Sequence, residues 1–225
     1  MSRSPIHNPF LGSSRLLPFV ARFSDRIIAR WPADRAFAVT IDDGPDPDTT
    51  EAILETLDWV GIRACFFLTG NAARRNPRLV RMIAGHGHII GSHGMTHRRL
   101  PLLGRRESAG EIRESIALLE DMTGQPTRYF RPPYGWFTRS MLEELPDATL
   151  LVLWSNMPGD FMESLRPEAL IARLQCTLRG GDILVLHEQP GRIDVTCRIV
   201  AALPEIVREK GLSISKYTEK ASLLS

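Results

Sequence analysis

The chain has 225 residues, and its 43% hydrophobic and 24% charged residues are ordinary for a globular domain, which excludes a disordered chain, a collagen and a disulfide scaffold. Its 28 basic and 26 acidic side chains leave a net charge of +2, which is too even to indicate nucleic-acid binding. The three cysteines form no CxxC pair, so we expect free buried thiols in a reducing compartment.

Residues 1–35 are predicted to form a leader ahead of a single domain at 36–225. Apolar side chains and arginines would take different faces of a helix over residues 14–30, which predicts an amphipathic helix. This helix either covers one end of the domain, which we favour, or contacts a membrane surface. No apolar run approaches the roughly 18 residues of a membrane span. No secretory signal is evident either, so we predict a cytoplasmic location.

From residue 36 onward, apolar runs alternate with helical patterns. Strands are predicted at 36–41, 64–69, 88–92, 149–154 and 182–187, with weaker candidates at 129–130 and 212–215. Helices are predicted at 49–60, 77–86, 107–122, 138–144, 167–179 and 195–210. The alternation predicts an α/β fold in which helices connect parallel strands. About seven strands suit either a doubly wound sheet or a barrel.

Polar residues follow several of these strands at the edge where the strands end. Loops at the carboxyl edge of a parallel sheet or barrel converge on one pocket, so motifs that are distant in sequence can meet there. These residues are Asp42 and Asp43 after the first strand, His93 and His97 after the third, Arg131 after the fourth, Asp160 after the fifth, and His187 at the end of the sixth.

Two adjacent acids at the end of an apolar strand, Asp42 and Asp43, are costly to bury unless a cation compensates them. Successive side chains point in different directions, so one acid can bind a cation while the other faces a substrate. His93 and His97 are four residues apart, a spacing that brings both imidazoles to one side of a helical turn. Together with Asp43 they predict a metal site with open positions for water or substrate.

Two further residues are candidates at the same edge. Arg131 precedes Pro132-Pro133, and this stiff backbone suits a guanidinium that grips a carboxylate. His187 closes a buried strand, and its place at the predicted catalytic edge favours a titrating role over a core role.

These motifs together resemble the polysaccharide deacetylase family, the family 4 carbohydrate esterases, over nearly the whole chain after the leader. The resemblance implies a distorted (β/α) barrel of about seven strands. It also implies metal-dependent removal of an acetyl group from an N-acetylated oligo- or polysaccharide. Four segments carry the resemblance: Thr40-Ile41-Asp42-Asp43-Gly44-Pro45, Ser92-His93-Gly94-Met95-Thr96-His97, Arg131-Pro132-Pro133-Tyr134-Gly135 and Leu184-Val185-Leu186-His187.

The resemblance also implies a role for each matching residue. Asp43, His93 and His97 would hold a divalent metal, commonly Zn²⁺. Asp42 would be the general base and His187 the general acid. The other implied roles are Arg131 orienting Asp42, the backbone N–H of Tyr134 stabilising the oxyanion, and Val185 and Leu186 lining the acyl pocket.

One motif departs from the family pattern Asp-x-x-Asp-Trp. Met157 stands at the first acid, Asp160 is retained, and Phe161 replaces the tryptophan as an apolar wall of the sugar groove. The resemblance implies that the first acid hydrogen-bonds the catalytic histidine, which Met157 cannot do. We therefore expect a less stabilised acid form of His187 and an alkaline limb of the rate profile at lower pH. The candidates to compensate are Ser155, Asn156 and Glu188.

Two other functions stay open on the sequence. The basic segment 14–30 and the missing export signal suit a deformylase or deacetylase of a lipid-linked sugar. Met157 suits a metal-bound carbohydrate-binding protein with little turnover. In each case the partner is a carbohydrate and not a nucleic acid.

Overall fold

The computed structural model describes residues 24–215, and in that part of the chain the apolar runs form an eight-stranded, all-parallel sheet. Seven strands follow the order β1-β6-β5-β4-β3-β2-β7, and β8 pairs with β2 beside this path. The strands are β1 (Ile27–Ile28), β2 (Ala36–Asp42), β3 (Cys65–Leu68), β4 (Ile89–Ser92), β5 (Tyr129–Phe130), β6 (Leu150–Val152), β7 (Ile183–His187) and β8 (Ser213–Ile214).

Helices connect the strands, as parallel pairing requires. Pro77 and Pro167 occupy first-turn positions, where the missing N–H of proline costs nothing. Between residues 24 and 215 the helices are α1 (Thr50–Trp59), α2 (Gly70–Arg75), α3 (Pro77–Gly85), α4 (Arg105–Thr123), α5 (Arg139–Glu144), α6 (Pro167–Thr177) and α7 (Ile193–Lys210). From residue 36 onward the predicted strands and helices are all present, while strand β1 and the short helix α2 were not predicted.

Both faces of the sheet are buried, which explains why the strands are apolar at successive positions. In β3, for example, Phe66 packs into a cluster with α1, α6 and α7, while Phe67 packs into a second cluster with α4 and α5. The chain after β6 crosses to β7, where Val185 N–H donates to the Asn156 carbonyl (3.0 Å). This bridge links the two ends of the curled sheet, so the predicted distorted barrel is confirmed.

The predicted helix at residues 14–30 is wrong at its end. Ile27 and Ile28 form β1 and pair with Leu151 and Val152. Pairing with a buried strand satisfies backbone groups and suits β-branched side chains. Arg26, counted on the basic face of the helix, instead donates to backbone carbonyls between residues 142 and 149.

The remainder of that predicted helix, residues 14–23, lies outside the described residues. β1 belongs to the same sheet as the strands that follow it. The division at residue 35 stays a prediction. Within residues 24–215, no helix has the length and apolarity needed to cross a membrane.

Candidate active site

Strand register brings the predicted site residues together. Asp42 and His187 are paired residues at the carboxyl ends of β2 and β7. β4 and β5 pair at their last residues, so His93 and Arg131 follow side by side. Four motifs that are distant in sequence therefore meet at one edge of the barrel, as the sequence predicted.

Asp42 and Arg131 form a buried ion pair, with Arg131 Nη1 donating to Asp42 Oδ1 at 2.6 Å. Arg131 is fully buried and stacks over the Phe67 ring at 4.1 Å. Its other donors reach Thr40 Oγ1 (2.8 Å) and, at the end of β6, the carbonyls at positions 152 and 153. The guanidinium is thus hydrogen-bonded on every nitrogen, which fixes the Asp42 carboxylate, the role implied for Arg131.

Asp43, His93 and His97 form a cluster whose ligand atoms all lie within 4.8 Å of one another. Asp43 Oδ1 lies 3.1 Å from His97 Nε2 and 3.6 Å from His93 Nε2. The backbone turns sharply at both loops, with positive φ at Asp43 (79°) and His97 (56°). Such conformations are uncommon outside glycine and recur at functional sites.

The protonation of this cluster suits a metal. His93 Nδ1 lies 2.7 Å from the Arg131 carbonyl and must donate to it, which leaves Nε2 as a free lone pair. Burial lowers the pKa of His93. Burial alone would raise the pKa of Asp43, but the neighbouring imidazoles of His97 and His93 hold it well below its usual range.

A buried atom without a partner gives the strongest test of the metal site. Asp43 Oδ1 is inaccessible and accepts no hydrogen bond from any described residue, although it faces two imidazole nitrogens. Burial opposes the charged form of His97, but the Asp43 carboxylate outweighs this effect and raises the pKa of His97. A bound cation would displace the proton that His97 then carries. Two imidazoles and one carboxylate therefore fit a divalent cation such as zinc.

His187 and Asp160 form the second charged pair of the site. His187 Nδ1 lies 3.0 Å from Asp160 Oδ1, and the His187 backbone N–H donates to Asp160 Oδ2 at 2.6 Å. Thr196 Oγ1 also donates to this carboxylate (3.2 Å). Burial alone would lower the pKa of His187, but the charge and hydrogen bond of Asp160 raise it to about 9.

The expected loss of a histidine partner at Met157 is therefore wrong, because Asp160 supplies that partner. Gly159, with φ 95°, makes a turn that no other residue adopts easily and carries Asp160 onto His187. Met157 is buried in the same apolar cluster as Phe67.

The three proposed substitutes for Met157 serve elsewhere. Ser155 and Asn156 both donate to Asp182, at 2.8 and 3.4 Å. Glu188 accepts from the segment that follows Asp43, as described below.

The remaining predicted residues occupy different positions around the site. The Phe161 ring meets the His187 ring edge-on at 4.8 Å, and the Tyr134 ring lies 4.8 Å from that of His97. Val185 and Leu186 are fully buried and belong to the two opposite apolar clusters. Their role in an acyl pocket stays a prediction.

Two buried glutamates support the metal-ligand loops. Glu111 of α4 accepts the backbone N–H groups of Met95 (2.8 Å) and Thr96 (2.9 Å), between the two histidines. Sequence reasoning missed Glu111. Its signal was the polar stripe that it forms with Ser108 and Ser115 on the buried face of α4.

Glu188 supports the Asp43 loop in a similar way. Its Oε1 accepts from the Asp46 N–H (3.1 Å), Thr49 Oγ1 (3.0 Å) and Thr50 Oγ1. Its Oε2 packs so closely on Gly44 that a Cβ there would collide with it. Burial raises the pKa of Glu188 to about 7, against the opposing hydrogen bonds. Glu188, Asp43 and His97 line a cleft of about 700 Å³.

Comparison with known proteins is consistent with this geometry. The family model described as "Polysaccharide deacetylase" matches residues 30–152. A chitooligosaccharide deacetylase of Azorhizobium caulinodans is 34% identical over 152 residues, 67% of this chain and 72% of that protein. The chain belongs to the polysaccharide deacetylase family. The resemblance seen in the motifs is thereby confirmed.

Two further relatives are peptidoglycan deacetylases by name. A peptidoglycan-N-acetylglucosamine deacetylase of Bacillus cereus is 29% identical over 155 residues, and the match covers 68% of this chain and 56% of that relative. A solved peptidoglycan N-acetylglucosamine deacetylase, in complex with an N-hydroxybenzamide compound, has a TM-score of 0.80 and 25% identity. That match covers 88% of this chain and 94% of the other. The predicted enzyme class, a deacetylase of N-acetylated sugars, is that of these relatives.

Proposed function

We propose that this chain hydrolyses the acetamide of an N-acetylglucosamine unit in a glycan, with a divalent cation, Zn²⁺, held by Asp43, His93 and His97. One observation carries the proposal. The cluster containing the unpartnered Asp43 Oδ1 lies at the same strand ends as the paired residues Asp42 and His187. Amide hydrolysis requires an activated water, a base and an acid, and this arrangement provides a group for each.

The bound metal would supply a Lewis acid that lowers the pKa of water and polarises the acetyl carbonyl. Asp42 Oδ1 is held by Arg131, so Oδ2 is left to take the proton of the attacking water. His187 is held at Nδ1 by Asp160, so Nε2 is left to protonate the departing amine. The backbone N–H of Tyr134 is the proposed donor to the oxyanion.

The substrate class follows the relatives. Those compared are named for peptidoglycan N-acetylglucosamine or for chitooligosaccharides, so an N-acetylated glycan is the proposed substrate. A binding protein without turnover is disfavoured, because Asp42 and His187 both have the partners that a base and an acid need. Removal of a formyl group from a lipid-linked sugar has no structural observation in its favour.

Location and membrane contact stay predictions. The three cysteines are free, but only Cys65 is buried, so the expectation of three buried thiols is wrong for Cys176 and Cys197. The part of residues 14–30 that the structure describes does not form the helix on which membrane contact was based.

Acetate release tests the proposed function. We expect the purified protein to release acetate from N-acetylated glucosamine oligomers, to lose this activity with a chelator, and to regain it with Zn²⁺. A matched control is the Asp42→Asn variant, which keeps the metal ligands and should bind Zn²⁺ without turnover. Metal-independent acetate release would contradict the proposal.

A further inference from the structure

An arginine held against two exposed aromatic rings lies beside the candidate active site. Among the described residues, Tyr134 and Trp136 are two of four large hydrophobic side chains that remain exposed, at 47% and 42%. Arg99 Cζ lies 5.2 Å from the centre of the Tyr134 ring and 5.5 Å from that of Trp136. We name Arg99, Tyr134 and Trp136 the arginine–aromatic surface.

This surface is continuous with the metal-ligand cluster. Arg99 follows His97 by two residues, and the Tyr134 ring contacts the His97 ring at 4.8 Å. A glycan whose acetyl group lies at His97 and whose chain runs toward Trp136 would pass over Tyr134. Arg99 contacts the far side of that path, so it would meet a neighbouring sugar unit and not the acetyl group.

The charge of Arg99 is unpaired. Its side chain makes no ion pair or hydrogen bond with residues 24–215, whereas its neighbour Arg98 pairs with Glu107 at 2.5 Å. The rings hold the guanidinium by cation–π contact and leave its N–H donors free. A guanidinium held in place in this way can donate two parallel hydrogen bonds to a carboxylate. The exposed ring faces match the apolar faces of sugar rings.

We infer that the arginine–aromatic surface binds a sugar carboxylate on the unit next to the one that is deacetylated. The inference rests on the proposed function and narrows its substrate class: the enzyme prefers an acidic N-acetylated glycan to a neutral one. Trp136 provides packing for either glycan, and Arg99 provides the discrimination.

Steady-state kinetics of the zinc-loaded enzyme on three oligomers of equal length test this inference. The first is a neutral N-acetylglucosamine oligomer, the second carries a carboxylate on every other sugar, and the third has those carboxylates converted to amides. Arg99→Ala should raise KM about tenfold on the acidic oligomer, as loss of one charged hydrogen-bonded contact implies, and leave kcat unchanged. On the neutral and amidated oligomers, KM should stay within about twofold.

Arg98→Ala is the matched control, because it removes the same charge one residue away but from a side chain that is already paired. It should leave KM on all three oligomers near the wild-type values. Thermal unfolding of both variants verifies that they fold.

Two results would overturn the inference. One is an equal change in KM on the acidic and amidated oligomers in Arg99→Ala. The other is a wild-type enzyme that does not distinguish these oligomers. Failure of the proposed function is distinguishable, since then no oligomer releases acetate with any variant.

Discussion

The two charged pairs of the catalytic edge, Asp42–Arg131 and Asp160–His187, differ in the solvent exposure of their basic side chains. Arg131 is fully buried and hydrogen-bonded to Thr40 of β2 and to the carbonyls of Val152 and Leu153 at the end of β6. His187 is partly exposed and depends on a carboxylate that a turn after β6 supplies. The first pair is therefore part of the core, and the second can be altered without dismantling the barrel.

The largest expected effect breaks the buried pair. Arg131→Met should leave the Asp42 charge buried without a partner and lower the free energy of unfolding by about 3–5 kcal/mol. Urea denaturation at pH 7 measures this loss. The double variant Arg131→Met/Asp42→Asn should recover part of it, because the uncompensated charge is gone. A single variant as stable as the wild type would show that the pair is not part of the core.

The Asp160–His187 pair should respond in the pH profile of the enzyme and not in its fold. Asp160 raises the pKa of His187 to about 9, so the acid form of His187 is present below that pH and is lost above it. Asp160→Asn should move the alkaline limb of kcat to lower pH and reduce kcat about tenfold near pH 8. The pH–rate profile of the zinc-loaded enzyme measures this shift. An alkaline limb that does not move would remove Asp160 from its assigned role.

Glu188, the residue after His187, should show its effect in stability alone. Its pKa is raised from an unfolded value near 4.3 to about 7, so the folded state loses stability as pH rises through that interval and changes little above it. Glu188→Gln keeps the acceptor oxygen and removes the titration. The difference in melting temperature between variant and wild type should grow in favour of the variant from pH 5 to pH 8. A constant difference would contradict the raised pKa.

The smallest effect is expected at Met157. Met157→Leu conserves volume in an apolar cluster and should change the free energy of unfolding by less than about 1.5 kcal/mol. Because Asp160 and not position 157 contacts His187, the pH–rate profile should coincide with that of the wild type. A displaced alkaline limb would show that position 157 tunes the histidine after all.

The same two pairs show what the sequence could predict. Asp42 ends β2 and Arg131 directly follows β5, so their convergence follows from parallel pairing alone. The partner of His187 was assigned wrongly, because motif spacing does not reveal which position a turn at Gly159 presents. The position of a residue along a strand determines which way its side chain points, whereas its position along a loop does not.

Other omissions have physical causes as well. Ile27 and Ile28 lie within a pattern that also suits a helix, and only a partner strand decides between the two structures. Glu111 contacts backbone N–H groups, which leave no trace in the sequence of the loop that they belong to. Arg99 is one of many arginines, and the rings that hold it come from a segment far along the chain.

One measurement tests the central claim that Asp43, His93 and His97 bind a single catalytic cation: metal content and acetate release determined on the same preparations. The wild type should bind one Zn²⁺ per chain and release acetate. His97→Ala should lose both together, with acetate release falling about 10³-fold as removal of several kcal/mol of metal stabilisation implies. Acetate release that persists in a His97→Ala protein without bound metal would contradict the claim.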